Sequence, residues 1–121
     1  MSSTYFSKED LECHCGCGRE YVSRDLTDFL DDLQEEIGTP LELSCAYRCP
    51  EHNREVGGVP NSTHVQGLAA DIIVPEDWTV DDFADVCEKL GADGVGRYYV
   101  DGFVHADVRE GRTGAGYSWE E

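Results

Sequence analysis

The chain has 121 residues, 40% of them hydrophobic, enough for one core and too few for two. Its 26 acidic residues against 9 basic ones give a formal charge of −17, a field that repels nucleic-acid phosphates and anionic membrane surfaces. No apolar run approaches the roughly 20 residues needed to span a bilayer, so composition argues against both nucleic-acid binding and membrane insertion.

One domain over residues 1–121 is expected, acting as a monomer. The acidity reads as a solvation device suited to a salty or crowded setting. The opening residues, MSSTYFSKED, lack the basic and apolar regions of a signal peptide, so the chain is not expected to export itself.

Ser7 and Asp10 have the spacing of a capping box for a short first helix, and the Gly- and Cys-rich segment up to Gly18 reads as a loop. Over residues 23–37, Leu26, Phe29, Leu30, Leu33 and Ile37 recur at helical spacing with acidic residues opposite, and Gly38 stops the helix. Residues 41–45, LELSC, alternate like a strand, and residues 50–55 suit one or two helical turns before Gly57 and Gly58. The apolar run AADIIV, residues 69–74, reads as an inner strand. Thr79 caps a second long helix whose Val80, Phe83, Val86, Cys87 and Leu90 face inward, ended by Gly91. Strands are expected at residues 94–99 and 103–108, joined through the turn signal Asp101-Gly102. The class is α+β, with a small, largely antiparallel sheet and flanking helices.

Six cysteines are many for so short a chain, and three crowd into CHCGC, residues 13–17. Disulfides, a metal and free thiols are all open. Neighbours two apart make poor disulfide partners, so Cys13, Cys15 and Cys17 would reach Cys45 or Cys49. The metal reading is a second, structural zinc held by some of these thiolates, with His14 as a further candidate ligand. Cys87 lies on an apolar helix face and reads as core, while His14 and His52 otherwise read as surface residues.

The stretch STHVQGLAAD, residues 62–71, places a carboxylate in an apolar segment, which is costly unless a cation or donor compensates it. A metal that activates water takes about three protein ligands and an open position, and imidazole with carboxylate suits zinc. His64, Asp71 and His105 offer that set. His64 would lie in the loop before the AADII strand, with Gly67 letting the chain fold back. Alternation places His105 on one strand face with Phe103 and Asp107. Singly, each of the three is more readily a structural residue; the pattern Ser62-x-His64-x-x-Gly67-x-Ala69-x-Asp71 is what favours a site.

The segments SCAYRCPEHN, GGVPNSTHVQGLAADI and GVGRYYVDGFVHADVR, in this order, resemble the zinc D-Ala-D-Ala carboxypeptidase family, particularly its small type in phage lysins and bacterial wall enzymes. The likeness runs from about Phe6 to Trp119. It implies a zinc D,D-peptidase-like fold, shared with hedgehog-type domains, and a metallopeptidase that cuts peptidoglycan stem peptides, released by lysis if phage or prophage encoded. It further implies His64, Asp71 and His105 as zinc ligands. Arg48 would then stabilise an oxyanion or hold a substrate carboxylate, and Ser62 would help bind substrate.

One position departs from the family pattern. Better known members carry an acidic general base three residues before the last histidine, where this chain has Gly102. Asp107 and Asp101 are the candidates to replace it, and Asp107 is favoured, either as base or as a partner that orients an imidazole. Without a base, the same fold would be a zinc-bearing module that binds wall peptides and does not cut them. Gly57, Gly58 and Gly67 are expected to leave the cleft open for an extended peptide.

Overall fold

The structure, a computed structural model, describes residues 3–121; Met1 and Ser2, included in the expected domain, lie outside the described residues. In chain order it forms α1 (Lys8–Leu11), α2 (Arg24–Ile37), β1 (Glu42–Cys45), α3 (Pro50–Glu55), β2 (Ala69–Ile73), α4 (Val80–Lys89), β3 (Gly94–Tyr98), β4 (Phe103–Asp107) and β5 (Tyr117–Glu120). The five strands make one sheet in the order β1-β2-β4-β3-β5, antiparallel except for the β3–β5 pair. It is an α+β fold.

The helix starts follow from short polar side chains. Ser7 and Asp10 close the capping box of α1, Ser23 caps α2 at the Leu26 N–H, and Thr79 caps α4 at the Asp82 N–H. Gly38 ends α2 in the left-handed conformation, at φ 81°. The apolar stripe of α2, Leu26, Phe29, Leu30, Leu33 and Ile37, is buried, as are Phe83, Ala84 and Cys87 of α4. Each large side chain so buried contributes roughly 1.5–3 kcal/mol of transfer free energy.

These helices cover one face of the sheet, meeting Ala70 and Ile72 of β2, Val95 of β3, and Val104 and Ala106 of β4. Strand alternation turns the intervening residues the other way. Asp71, His105, Asp107, Gly94, Gly96 and Tyr98 therefore share the second face, and the register pairs Asp71 with His105, Gly96 with His105, and Gly94 with Asp107. That face carries the site.

The fifth strand was not anticipated. Tyr117–Glu120 is short, mostly exposed, and pairs in parallel with β3, so no local hairpin signal marks it. Its approach is organised by Asp93, buried just before β3. The Asp93 carboxylate accepts backbone N–H bonds from Glu110, Arg112, Thr113 and Ala115, and a further bond from the Thr113 hydroxyl. One side chain thus takes four backbone N–H groups of the connection between β4 and β5.

Candidate metal centre and cleft

Three elements bring the expected ligands together. Asp71 projects from β2, His105 from the adjacent β4, and His64 from the turn-rich segment before β2. Asp71 Oδ1 lies 3.2 Å from His64 Nε2 and 3.0 Å from His105 Nδ1. Ligands about 2.0–2.2 Å from a tetrahedral zinc ion are roughly 3.4 Å from one another, so the donor set and spacing fit such an ion.

The far side of each imidazole is also fixed. His64 Nδ1–H donates to the Ala46 carbonyl at 2.8 Å; a carbonyl only accepts, which leaves Nε2 as the nitrogen that could hold a metal. His105 Nε2 lies 3.0 Å from Asp107 Oδ2, leaving Nδ1 to face Asp71. Such outer partners set the tautomer and aim of a metal-binding histidine. The backbone of His64 is held too, its N–H bonding the Ser62 hydroxyl and its carbonyl accepting the Arg48 N–H.

Electrostatics favour positive charge between these groups. Burial opposes a proton on His64, but the hydrogen bond and charge of Asp71 outweigh it and raise the group to about 10. Burial likewise opposes ionisation of Asp71, and the two histidines overcome it, holding the carboxyl well below its usual range. Asp107 is depressed in the same way: burial is outweighed first by the hydrogen bond from His105 and then by Arg109. Arg109 balances Asp107, whereas Asp71 needs a proton on its histidines or a metal.

Asp107 is fully buried and its carboxylate is engaged on both oxygens. Arg109 Nε donates to Oδ1 at 2.9 Å and Nη2 to Oδ2 at 2.7 Å, while Oδ2 also meets His105. The space for this carboxylate exists because β3 has glycine opposite it: a Cβ at Gly94 would overlap Asp107. Gly96 does the same for Trp119, whose ring lies 5.0 Å from that of His105. Asp101, in contrast, is exposed in the turn between β3 and β4 and does not line the cleft.

The site opens into a cleft of about 370 Å³ lined by Arg48, Ser62, His64, Asp71, His105 and Trp119 among others. Arg48 is held from α3 by Asn53, Nη1 to Oδ1 at 3.0 Å, and its Nη2 lies 3.5 Å from Cys45 Sγ. Gly58 makes that hold possible, since a Cβ there would overlap Asn53 Oδ1. Gly67, at φ 73°, packs against the Tyr21 carbonyl with no room for a Cβ. Gly58 and Gly67 therefore serve close packing, which corrects the expectation that they keep the cleft open.

The cysteines separate into two groups. Cys49 gathers with Cys13, Cys15 and Cys17, whereas Cys45 lies apart, against Arg48 and 3.6 Å from His64 Nδ1. Cys45, His64 and Asp71 are close enough to share an ion, but Cys45 approaches the ring nitrogen already committed to the Ala46 carbonyl. His14 is exposed and lies outside the four-cysteine group, and Cys87 is buried in the core. Reading the sequence missed Cys45, Tyr98, Arg109 and Trp119 as cleft neighbours. The alternation of YSWE was the available signal for Trp119.

A sheet face presenting Asp71 and His105, with His64 brought to them from the loop before β2 and Arg48 on the cleft wall, is a donor set suited to a metal ion. The family model for Peptidase M15 matches residues 4–107, and the chain belongs to that family, the zinc D-Ala-D-Ala carboxypeptidase family. The match spans all three candidate ligands and Asp107, and stops before Arg109 and Trp119. The family is zinc-dependent and acts on peptides. A search of curated proteins returns no match. No described helix is long and apolar enough to cross a membrane.

Proposed function

We propose that the chain is a zinc metallopeptidase that hydrolyses peptidoglycan stem peptides, as a D,D-carboxypeptidase or an endopeptidase. The observation that carries this reading is the convergence of His64 Nε2 and His105 Nδ1 on Asp71 Oδ1 beneath the cleft. His64, Asp71 and His105 would hold the ion, which supplies a Lewis acid and a water of lowered pKa when bound.

The remaining work falls to the chain's own groups. Arg48, fixed by Asn53, offers a guanidinium to the charge that gathers on the scissile carbonyl oxygen, or to a substrate carboxylate. Arg109 is tied to Asp107, but Arg48 lines the cleft with no carboxylate partner among the described residues, which suits an anionic peptide end. Ser62 lines the cleft and also receives the His64 N–H, so its hydroxyl positions the ligand loop as well as meeting substrate.

Of the two roles open to Asp107, its burial and double engagement favour orienting His105 over proton transfer. Among the described residues lining the cleft, Asp71 is the only carboxylate. As a ligand whose Oδ1 meets both imidazoles it would be committed to the ion, so the proton of the attacking water would pass to solvent and the leaving amine would take its proton from solvent.

A second reading has its own support. Gly102 stands where better known members carry an acidic base, and nothing lies within 4 Å of a Cβ built there. On that reading the domain binds wall peptides without turnover. Digestion of purified peptidoglycan and soluble muropeptides, with and without a chelator, separates the two by mass spectrometry. Chelator-sensitive mass losses are expected; intact muropeptides from a zinc-loaded sample, across several wall chemistries, would select the binding module.

A further inference from the structure

We propose that Cys13, Cys15, Cys17 and Cys49 hold a second, structural zinc ion that fixes the segment carrying Arg48. The assignment of Arg48 rests on the reading above; the four-thiolate site does not.

The sulfurs have the spacing of a metal site. Cys13 and Cys15 Sγ are 3.5 Å apart, Cys15 and Cys49 Sγ are 3.6 Å apart, and all four lie within 4.8 Å of one another. Four sulfurs at about 2.3 Å from a tetrahedral zinc ion are separated by roughly 3.8 Å. Only sulfur ligands are present, the donor set of closed structural sites.

The surroundings are arranged for thiolates. The Cys49 N–H donates to Cys13 Sγ at 3.3 Å, the His52 N–H to Cys49 Sγ at 3.4 Å, and Arg19 Nε to Cys17 Sγ at 3.3 Å. A charged acceptor strengthens such bonds. The loop is closed by the Cys13 N–H on the Arg19 carbonyl, 2.9 Å, and curls through Gly16 and Gly18 at φ 88° and 78°. This curl lets residues at every second position face one point. Apolar packing alone is thin here: the buried cluster comprises Cys13, Tyr47 and Cys49, with Val22 beside it. An ion would supply the cross-link that the small core does not.

Its mechanical consequence runs through Cys49. That residue caps α3 and directly follows Arg48, whose guanidinium is held by Asn53 of the same helix. The Tyr47 N–H bonds the Leu11 carbonyl at the end of α1, the Arg48 N–H the His64 carbonyl and the Cys49 N–H the Cys13 sulfur, so this short segment is stitched between the cysteine loop and the cleft.

The test is metal counting on the full chain, purified reduced and loaded with zinc, with cobalt substitution as the spectroscopic readout. The wild type should carry two ions, and Cys15→Ser/Cys17→Ser, which alters two exposed residues, should carry one. In the cobalt form, an intense thiolate charge-transfer band should survive His64→Ala/His105→Ala and vanish in the cysteine variant. A thiol-reactive mercurial should release one of the two ions from the wild type, a check that needs no variant. Two ions lost only with the histidines, no thiolate band, or disulfide-linked cysteines in the unreduced protein would overturn the proposal. If the thiolate band persists while the histidine variant loses no metal, the second site stands and the catalytic reading falls. For the coupling, the cysteine variant should keep its histidine-bound ion and lose about tenfold or more in turnover, as a misplaced Arg48 would. Unchanged turnover would overturn that part.

Discussion

Asp107 Oδ2 sits 3.0 Å from His105 Nε2, behind the imidazole and away from the nitrogen that faces Asp71. The same oxygen takes a 2.7 Å bond from Arg109, so the carboxylate is shut into the sheet face by glycine on one side and guanidinium on the other. A group so placed would govern how His105 binds a metal if it is a ligand, as we propose. Asp107→Asn should therefore weaken zinc affinity by about 10–100-fold, the usual effect of losing an outer carboxylate. Competition against a chromogenic chelator measures this. Were Asp107 the general base, the same variant would bind zinc normally and lose turnover, the outcome that would reverse the assignment.

Metal binding should release a proton from His64. In the metal-free protein this group is raised to about 10 from its ordinary 6.5, because Asp71 outweighs the opposing effect of burial. The pairing stabilises the metal-free fold fully below about 6.5, provided Asp71 is ionised, and its contribution fades as pH rises through about 10. Zinc must displace that proton, so its apparent affinity should rise about tenfold per pH unit between pH 7 and 9. Calorimetry in buffers of different ionisation enthalpy should show at least one proton released per ion near pH 7. No release would mean that His64 is already neutral.

Arg48→Ala should lower turnover by about 10²–10³-fold, the range found when one oxyanion donor is removed, while zinc content stays unchanged. Arg48→Lys should recover only part, since a lysine cannot hold Asn53 and the cleft at once. Gly58→Ala reaches the same guanidinium indirectly. Its new Cβ must push Asn53 Oδ1 aside, and a displacement of about 1 Å can cost up to about 100-fold. Steady-state kinetics on a stem-peptide substrate, with metal content measured alongside, would show whether the three variants fall in that order.

The helices and four of the strands were legible because each carries a local signal: a polar cap, a stripe of apolar residues at helical spacing, or alternation bounded by glycine and proline. Elements such as α2 and α3 keep their expected ends to within a residue. That His64, Asp71 and His105 would lie together was legible because a carboxylate in AADII needs compensation, and the family resemblance suggested the role we propose for them. What escaped was non-local. Pairing of β5 with β3 depends on a distant register, and the seats of Asp107 and Trp119 depend on the missing side chains of Gly94 and Gly96. Nor does spacing reveal that Cys45 and Cys49, four residues apart, face different sites, because the chain turns between them.

Asp93 provides a prediction about stability at a residue that does not line the cleft. It is buried, and its two oxygens accept from four backbone N–H groups and one hydroxyl of the segment leading to β5. Burial opposes its ionisation, but the N–H donors of Ala115, Glu110, Arg112 and Thr113 win and lower its pKa. A depressed carboxylate contributes stability that is present above its unfolded value, about 3.9, and lost as pH falls through the folded value. Asp93→Asn keeps the shape but turns an amide toward groups that are themselves donors, and should cost on the order of 3 kcal/mol at pH 7. Urea denaturation should show that gap narrowing below about pH 4, as the wild-type carboxylate takes up its proton. Because the segment ends at Trp119, fluorescence in a Trp78→Phe background should report loosening of β5 before the global transition. A gap independent of pH would mean that the Asp93 charge contributes nothing and that its geometry alone holds the loop.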